Sequence, residues 1–313
     1  MGTVDVADEA PFEVCDERFR RLLREDSVLQ RLWSGAEWSE GPVYLPDRDC
    51  VLWSDIPNDR VLRWSRLDGV SVEQHPAGFA NGHTLDLRGR VIRCEHGGRR
   101  ISRIEEDGRI VTLVERYHGA RLNSPNDVVV KSDGTVWFTD PPYGIVSDRE
   151  GHRADSELGD NYVFRYDPAS QELTIVSDAA EEPNGLAFSP DESVLYVSDT
   201  SAALRTDGGG NHHILAFDVV DGERLENPRV FAEISPGLAD GFRVDEHGRL
   251  FTSSANGVHV YAPDGTRLGR IAVPEVVSNC VFGGPDRDVL YITATTSLYS
   301  IRLATRGAAR LPR

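Results

Sequence analysis

Hydrophobic and polar positions alternate along most of this chain. Short runs rich in Val, Leu, Phe, Tyr and Trp are separated by Asp-Gly, His-Gly or Pro-Asp turns, as in PNDVVVKSDGTVWFTD at residues 125–140. This pattern is typical of an all-β protein. The segment DERFRRLLREDSVLQRLW at residues 16–33 instead has leucines at helical spacing, and it predicts a short helix followed by a strand.

The alternating strands recur in a larger unit, in which a polar or glycine-containing turn is followed by a strand, a second turn and a second strand. Six copies are recognisable, with 39 to 58 residues between their markers Gly41, Gly82, Asn126, Asn184, Asp240 and Asn279. Repeats of this length with several strands each are typical of propeller blades. We therefore predict a single-domain, six-bladed β-propeller at residues 28–313, preceded by a short N-terminal helical extension at residues 1–27.

The ring of a propeller has to close, and the segment before the first repeat offers a strand for this purpose. VLQRLWSGAEW, at residues 28–38, can supply the outer strand of the last blade beside VLYITA and SLYSIRL. Such closure removes an exposed sheet edge. The third and fourth units are longer because they carry GIVSDREGHRADSELGD and TSAALRTDGGGNHH, which we expect to form loops at the rim of one face.

A side chain with an oxygen occupies the same position in all six units, just before or at the first strand. Because the innermost strand of each blade lines the central channel, these side chains are expected to converge. A single Asn or Asp there would be an ordinary turn residue, but six in phase favour a cluster of ligands. Such oxygens suit a hard divalent cation, and the absence of His and Cys argues against a structural zinc site. The six residues are Glu40, Asn81, Asn126, Asn184, Asp240 and Asn279.

Composition disfavours several classes of function. The chain of 313 residues is 39% hydrophobic, so it can bury a large core, and its formal net charge of −17 disfavours nucleic acid and anionic membranes as partners. It has no apolar run long enough to span a bilayer, and its acidic N-terminal sequence does not match a signal peptide, so we expect a cytoplasmic location. The four scattered cysteines predict free, mostly buried thiols. The sequence leaves the oligomeric state open.

Five motifs in order resemble a known family. They are SEGPVY, RLNSPNDVVVKSDGTVWFTDPPYG, PNGLAFSPDESVLYVSDT, ADGFRVDEHGRLF and CVFGGPDRDVLYIT. Together they are similar to the senescence marker protein/gluconolactonase/luciferin-regenerating enzyme family over roughly residues 30–303, and most of all to its bacterial gluconolactonase-like branch. The resemblance implies a six-bladed propeller with one divalent metal in its channel.

The resemblance also implies roles for individual residues. The implied metal ligands are Glu40, Asn126, Asn184 and Asp240. Among these, Asn126 in the third blade matches a ligand found in related propeller hydrolases. Arg121 matches a position that contacts substrate in some members. Because some members have a more compact motif in this blade, either Asn123 or Asn126 could be the ligand. We favour Asn126, which directly precedes the strand, and we expect Asn123 on the substrate side beside Arg121.

These residues predict a metal-dependent lactonase that acts on a sugar lactone or a related small lactone. The cation would polarise the lactone carbonyl and stabilise the oxyanion formed on attack; calcium is the first choice, with Mg²⁺, Mn²⁺, Zn²⁺ or Fe²⁺ as alternatives. Asp240 is the first candidate for the base that activates water, and Asp127 could orient a ligand. The other residues assigned to the substrate are Asn81, His83, Tyr143 and Asn279, and His83 is an alternative base.

Two other functions stay open at this stage. A metal-dependent esterase or phosphotriesterase would use the same ligands. A non-catalytic ligand-binding propeller would be expected to lack the metal carboxylates, but Glu40 and Asp240 are both present. The G-x-S-x-G sequence of many serine hydrolases is absent, so a serine nucleophile of that type is not expected.

Overall fold

The turns between the alternating runs fold neighbouring runs into antiparallel sheets. The computed structural model describes residues 11–308, and in this part of the chain six sheets of four or five strands follow one another, together with one small hairpin. The first strands of successive blades contact one another, so these strands surround a central channel. The all-β, six-bladed propeller predicted from the repeat is confirmed.

The first three blades are each built from four consecutive strands. Blade 1 contains Ser39–Leu45, Cys50–Asp55, Arg60–Ser65 and Gly69–Gln74. Blade 2 contains Ala80–Leu85, Val91–Glu95, Arg100–Ile104 and Ile110–Val114. The hairpin Arg116–Tyr117 with Ala120–Arg121 leads into blade 3, which contains Val128–Val130, Val136–Asp140, Tyr162–Asp167 and Glu172–Ser177. The first strand of each blade is therefore the one that begins at the markers of the sequence repeat.

The last three blades follow the same plan, and two of them gain a strand from the N-terminal part of the chain. Blade 4 contains Pro183–Phe188, Val194–Asp199, His213–Val220 and Arg224–Glu233. Blade 5 contains Phe242–Val244, Leu250–Thr252, Gly257–Tyr261 and Arg267–Ala272, with Phe12–Val14 as a fifth strand. Blade 6 contains Val277–Gly283, Val289–Ala294 and Ser297–Arg302, with Gln30–Ser34 as its outer strand. The remaining elements are the 3₁₀ helices Glu17–Leu22, Pro46–Arg48 and Ser201–Leu204.

The ring closes through the strand expected from the sequence. Gln30–Ser34 pairs antiparallel with Ser297–Arg302, with Arg31 opposite Tyr299. The first strand of blade 6 also contacts the first strand of blade 1. The last blade is therefore assembled from both ends of the described chain, which leaves no gap between blades 6 and 1.

The N-terminal helix is shorter and tighter than the leucine spacing suggested. It is a single 3₁₀ segment, Glu17–Leu22, which begins at the cap Asp16, whose carboxylate accepts from the backbone N–H of Arg18 at 2.8 Å. Its buried side chains, Phe19 and Leu22, are three residues apart and join the core between blades 5 and 6. This spacing matches the three residues per turn of a 3₁₀ helix. The domain boundary at residue 27 stays a prediction.

Six hydrophobic clusters make up the core, and each lies between two neighbouring blades. Trp53 lies between blades 6 and 1, and Trp137 between blades 3 and 4. The four cysteines are free thiols, and only Cys15 is exposed, as expected. Within residues 11–308 no helix has the length and apolar character needed to cross a bilayer.

Candidate active site

A cavity of about 200 Å³ opens at one end of the channel, where the first strands of the blades begin. Five of its lining residues, Glu40, Asn81, Asn126, Asn184 and Asp240, are oxygen-bearing residues from the repeat. The others are Trp38, Ile56, Tyr143, Arg149, Glu150, Thr200, Ala203 and Leu238. Five of the six blades thus place a polar side chain at one point, as the phase of the repeat predicts.

Glycines beside the marker residues let the blades come this close together. A Cβ atom on Gly41 would lie 2.0 Å from the carbonyl oxygen of Asn81, and one on Gly185 would lie 2.4 Å from that of Asp240. The Gly185 N–H donates to that Asp240 carbonyl at 2.9 Å. Gly41 also has a φ of +57°, which favours glycine. The Glu40-Gly41 and Asn184-Gly185 pairs therefore combine a cavity side chain with a glycine that permits close contact between blades.

Glu40 is held at the floor of this cavity by groups from two blades. Its Oε2 accepts from the backbone N–H of Gly41 and from Nδ2 of Asn279 at 3.1 Å. Burial raises the pKa of the Glu40 carboxyl well above its usual range, and the negative charges of Asp240 and Asp127 raise it further. Asn279 therefore acts on Glu40 and does not line the cavity.

Asp240 is the second carboxylate of the cavity. Burial raises its pKa to about 7, the charges of Glu150 and Asp127 act in the same direction, and a hydrogen bond from Asn184 opposes them. Neither Asp240 nor Glu40 forms an ion pair with a basic side chain of residues 11–308. The two buried carboxylates have no basic partner, and the charge of Asp240 raises the pKa of Glu40, so a positive charge beside them would be favourable.

The donors around this position fit a hard cation. Over residues 11–308 no cluster of three or more His, Cys, Asp or Glu side chains could hold a metal ion. A cation in the cavity would therefore have to use amide oxygens together with Glu40 and Asp240, and Asn126 and Asn184 line the same cavity. Two carboxylates and two amides form an all-oxygen set of the kind that calcium and magnesium accept.

Asn184 is positioned by a chain of hydrogen bonds. Its Nδ2 donates to Oγ1 of Thr200 at 3.1 Å, and that hydroxyl lies 2.5 Å from the hydroxyl of Tyr143. Tyr143 in turn donates to Oε2 of Glu182 at 3.1 Å, and burial raises the pKa of Glu182 to about 7. This chain leaves Oδ1 of Asn184 as the amide atom available to a ligand. Tyr143 thus lines the cavity as expected and also supports Asn184.

Asn81 is oriented by a buried histidine. Nδ1 of His96 lies 3.0 Å from the backbone carbonyl of Glu150, which can only accept, so Nδ1 carries the proton. Burial lowers the pKa of His96 to about 4, so the ring is neutral and its Nε2 accepts a hydrogen bond. Nδ2 of Asn81 lies 3.3 Å from this Nε2. The NH₂ group of Asn81 is therefore engaged, and its oxygen is available at the cavity.

The insertion in the third unit, residues 144–160, reaches the cavity through Arg149 and Glu150. The Arg149 guanidinium lies 3.2 Å from a carboxylate oxygen of Glu37 and 3.2 Å from one of Glu150. A Cβ on Gly144 would lie 2.5 Å from Cβ of His96, so the start of the insertion packs directly on that ring. The sequence indicated a rim loop here, but it did not single out Arg149 or Glu150 as cavity residues.

Four residues predicted to contact substrate, Asn123, Arg121, His83 and Asn279, are not brought to this cavity. Nδ2 of Asn123 donates to the carbonyls of Asp140 and Asp160 at 3.2 and 2.9 Å, and its Oδ1 accepts from Ser156, so its amide is fully used within the loop. The guanidinium of Arg121 donates to the carbonyl of Gly98 at 3.0 Å.

His83, the third, lies further along the channel and donates from Nδ1 to the carbonyl of Gly41 at 2.8 Å. It is therefore not in a position to act as a base at the cavity. Asp127 likewise accepts from Arg243 at 3.3 Å rather than from a predicted metal ligand. Of the two third-blade candidates, Asn126 lines the cavity and Asn123 does not.

The chain matches a known family over most of its length. Residues 38–296 match the family described as SMP-30/Gluconolactonase/LRE-like region. The chain is 32% identical to a gluconolactonase of Zymomonas mobilis, covering 93% of this chain and 85% of that protein. It is 33% identical to the pentonolactonase XacC of Haloferax volcanii, covering 81% and 80%.

A solved structure of similar architecture is the gluconolactonase XC5397 of Xanthomonas campestris. It superimposes with a TM-score of 0.89 at 41% identity and covers 97% of both chains. The chain belongs to the SMP-30/gluconolactonase/LRE-like family.

Proposed function

We propose that this protein is a lactonase that opens a sugar lactone or a related small lactone with the help of one divalent cation. The observation that carries the proposal is the convergence of Glu40, Asp240, Asn126 and Asn184 in one cavity of about 200 Å³. The relatives named gluconolactonase and pentonolactonase support the same reaction class. A cavity of this size suits a monosaccharide-sized molecule better than a polymer.

Glu40, Asn126, Asn184 and Asp240 would hold the cation, and calcium suits their oxygen donors best. When bound, the cation supplies a Lewis acid for the lactone carbonyl. The hydrogen bond from Asn279 keeps one oxygen of Glu40 in place. The hydrogen bond from Asn184 to Thr200 fixes the Asn184 amide so that its Oδ1 is available to the cation. These contacts hold the ligands before substrate arrives, so little reorganisation is needed during the reaction.

Asp240 is the proposed base. In the metal-free protein its pKa is about 7, and a bound cation would lower this pKa and keep the carboxyl ionised, so that it can accept a proton from water. It removes a proton from water as the water oxygen bonds to the carbonyl carbon. The bond from that carbon to the ring oxygen then breaks, and the proton passes to the ring oxygen. The product is an open-chain hydroxy acid.

Asn81 and Tyr143 are proposed to bind the substrate at the cavity wall. The oxygen of Asn81 is available to accept from a substrate hydroxyl, because its NH₂ group is held by His96. Arg149 is the one guanidinium among the lining residues of the described chain, and it can donate to a substrate oxygen. A substrate with several hydroxyl groups would therefore be favoured over a plain cyclic ester.

The proposal is tested with a panel of sugar and aliphatic lactones, using protein treated with chelator and then reconstituted with a single metal. We expect chelation to abolish turnover, calcium to restore it, and Glu40→Gln and Asp240→Asn to lower kcat/KM by about a hundredfold or more. Glu226→Gln, on an exposed outer strand, is the matched control and should behave as wild type.

Full activity in the chelated protein would exclude the cation from the reaction. Turnover of aryl esters or phosphotriesters with no turnover of any lactone would favour the esterase or phosphotriesterase alternative. Absence of all turnover in the calcium-loaded protein would favour a binding role.

A further inference from the structure

A second cavity, of about 210 Å³, lies at the other end of the channel. The first strands of the blades begin at the catalytic cavity, and their later residues line the second one, among them Val43, His83, Val129, Ala187, Arg243 and Phe282. Because these strands all line the channel, the positions where they end share the opposite mouth. The two cavities are therefore separate.

The walls of the second cavity are mainly apolar, and its polar lining residues include His83 and Arg243, which differ in hydrogen-bonding character, together with Thr84, Asp86, Ser132, Ser189, Glu192 and Arg287. Its carboxylates are engaged elsewhere: Asp86, for example, accepts from the guanidinium of Arg90 at 2.8 Å. His83 and Arg243 differ, since each has nitrogen atoms without a hydrogen-bond partner among residues 11–308. Small-molecule sites commonly combine apolar walls with a few such oriented groups.

His83 is a buried hydrogen-bond acceptor in this cavity. Only 2% of the residue is exposed, and its Nδ1 donates to the carbonyl of Gly41 at 2.8 Å. A carbonyl can only accept, so Nδ1 carries the proton, and burial keeps the ring neutral by lowering its pKa to about 4. Nε2 therefore presents a lone pair, and it has no hydrogen-bond partner within the described residues. A ligand that contacts it has to donate.

The guanidinium of Arg243 donates hydrogen bonds to the protein through Nη1, and its Nε–Nη2 edge can donate to a ligand. Its Nη1 donates to the backbone carbonyl of Phe242 at 2.7 Å and to Asp127 at 3.3 Å. Its Nε and Nη2 make no hydrogen bond to residues 11–308. The Nε–Nη2 edge of a guanidinium presents two parallel N–H groups, which match the two oxygens of a carboxylate.

The geometry points to a second ligand site at this mouth, which binds a small carboxylic acid with an apolar body and a hydroxyl group. The carboxylate pairs with the Nε–Nη2 edge of Arg243, the hydroxyl donates to Nε2 of His83, and the body packs against Val129, Ala187 and Phe282. Nothing in this site requires the cation or the lactonase reaction. Its ligand is more apolar than the polyhydroxylated acid expected from the catalytic cavity.

One residue, Gly41, contacts both sites. The N–H of Gly41 donates to Glu40 in the catalytic cavity, and the carbonyl of Gly41 accepts from His83 in the second one. Because a layer of backbone lies between them, both cavities can be filled at once. Binding at the second site is therefore not competitive with lactone or its product.

The test uses 4-hydroxybenzoate as the probe and isothermal titration calorimetry on the full-length protein. We expect saturable binding at one site. Benzoate, which lacks the donor, should bind about fivefold more weakly, the usual effect of one hydrogen bond. 4-Hydroxybenzyl alcohol, which lacks the carboxylate, should bind at least about tenfold more weakly than 4-hydroxybenzoate. In His83→Phe, 4-hydroxybenzoate and benzoate should bind equally.

A cavity-filling variant and a matched control complete the experiment. Val130→Phe places a ring in the second cavity and should abolish binding. Val72→Phe makes the same change on the outer strand of blade 1, where the side chain is 53% exposed, and should not alter it. Three results would overturn the proposal. They are the absence of saturable binding, equal binding by Val130→Phe and Val72→Phe, and displacement of the probe by gluconate. These readouts measure binding directly, so they do not depend on whether the protein hydrolyses lactones.

Discussion

Nδ2 of Asn279 donates to Oε2 of Glu40 at 3.1 Å, although the two residues are 239 positions apart and belong to blades 6 and 1. The same Asn279 accepts the backbone N–H of Cys280 through Oδ1 at 2.8 Å, which fixes the direction of its amide. The contact closes the ring at the point where the chemistry is proposed. This one hydrogen bond therefore both links blades 6 and 1 and helps to hold Glu40 in place.

Asn279→Ala is expected to lower kcat/KM for a sugar lactone by about tenfold, since it removes a hydrogen bond to a charged carboxylate. Calcium affinity should fall in parallel, as measured by titration calorimetry. Asn58→Ala is the control, because it removes an amide contact of 2.9 Å to Asp55 outside the cavity. Equal kinetics for the two variants would show that Asn279 does not position Glu40.

The stability of the metal-free protein should fall as pH rises. The pKa of Asp240 is about 7 in the folded protein, against the ordinary value of 3.8 expected in the unfolded chain. Folding therefore favours the protonated carboxyl. The stability from this group is fully present below about pH 4 and is lost as pH rises through about 7. Glu40 shifts in the same direction. Thermal unfolding in chelator should show this slope, and Asp240→Asn should reduce it.

Saturating calcium should also flatten the slope, because it stabilises the ionised carboxylates. Asp140 and Glu182, whose pKa values burial also raises to about 7, contribute to the wild-type slope and are unchanged in the variant. The difference between wild type and Asp240→Asn therefore reports Asp240 together with its effect on the pKa of Glu40. Identical slopes for the two proteins would contradict the assignment of the shift to this residue.

His96→Ala is expected to raise KM for a sugar lactone severalfold, because it releases both the Asn81 amide and the Glu150 carbonyl. The effect on an unsubstituted lactone should be smaller, since that substrate has no hydroxyl for Asn81 to accept. Steady-state kinetics with the two substrates measures this difference in the change of KM. The control His212→Ala removes a similar histidine contact, 3.0 Å to the carbonyl of Ile234, away from the cavity. Equal changes for both substrates would indicate a structural role only.

Gly41→Ala should destabilise the fold by about 3 kcal/mol or more, because the added Cβ would lie 2.0 Å from the carbonyl oxygen of Asn81 and cannot be accommodated without separating blades 1 and 2. Gly69→Ala is a close control. Its φ of +70° is equally unfavourable for alanine, but no atom lies within 4 Å of the new Cβ, so a cost of about 1 kcal/mol is expected. Urea denaturation measures both, and similar costs would refute the steric explanation.

Some of the cavity could be predicted from the repeat alone. Each first strand begins at a turn, so residues at the same phase, such as Glu40 and Asp240, share one mouth of the channel. His83 was expected beside them because it follows Asn81 closely. A strand advances about 3.3 Å per residue, so two residues carry a side chain about 7 Å along the channel. That distance places His83 in the second cavity, and strand geometry could have indicated this.

Other parts of the site left no local signal. Arg149, Glu150 and His96 come together only because the insertion at residues 144–160 folds back over blade 2, and Asn123 is withdrawn because that loop uses its amide. The leucines of residues 16–33 predicted a helix, but tertiary packing of Phe19 and Leu22 between blades 5 and 6 selects one 3₁₀ segment.

By itself the sequence determined the class of fold, the number of blades, the strand that closes the ring and the residues with which the inner strands begin. These follow from strand periodicity, turn chemistry and repeat spacing, which are local properties. Only the tertiary structure decided which side chains reach the catalytic cavity, which nitrogen of His96 accepts, and that a second cavity exists behind Gly41. Those depend on hydrogen bonds and burial between residues of different blades, and no local pattern encodes which distant groups will meet.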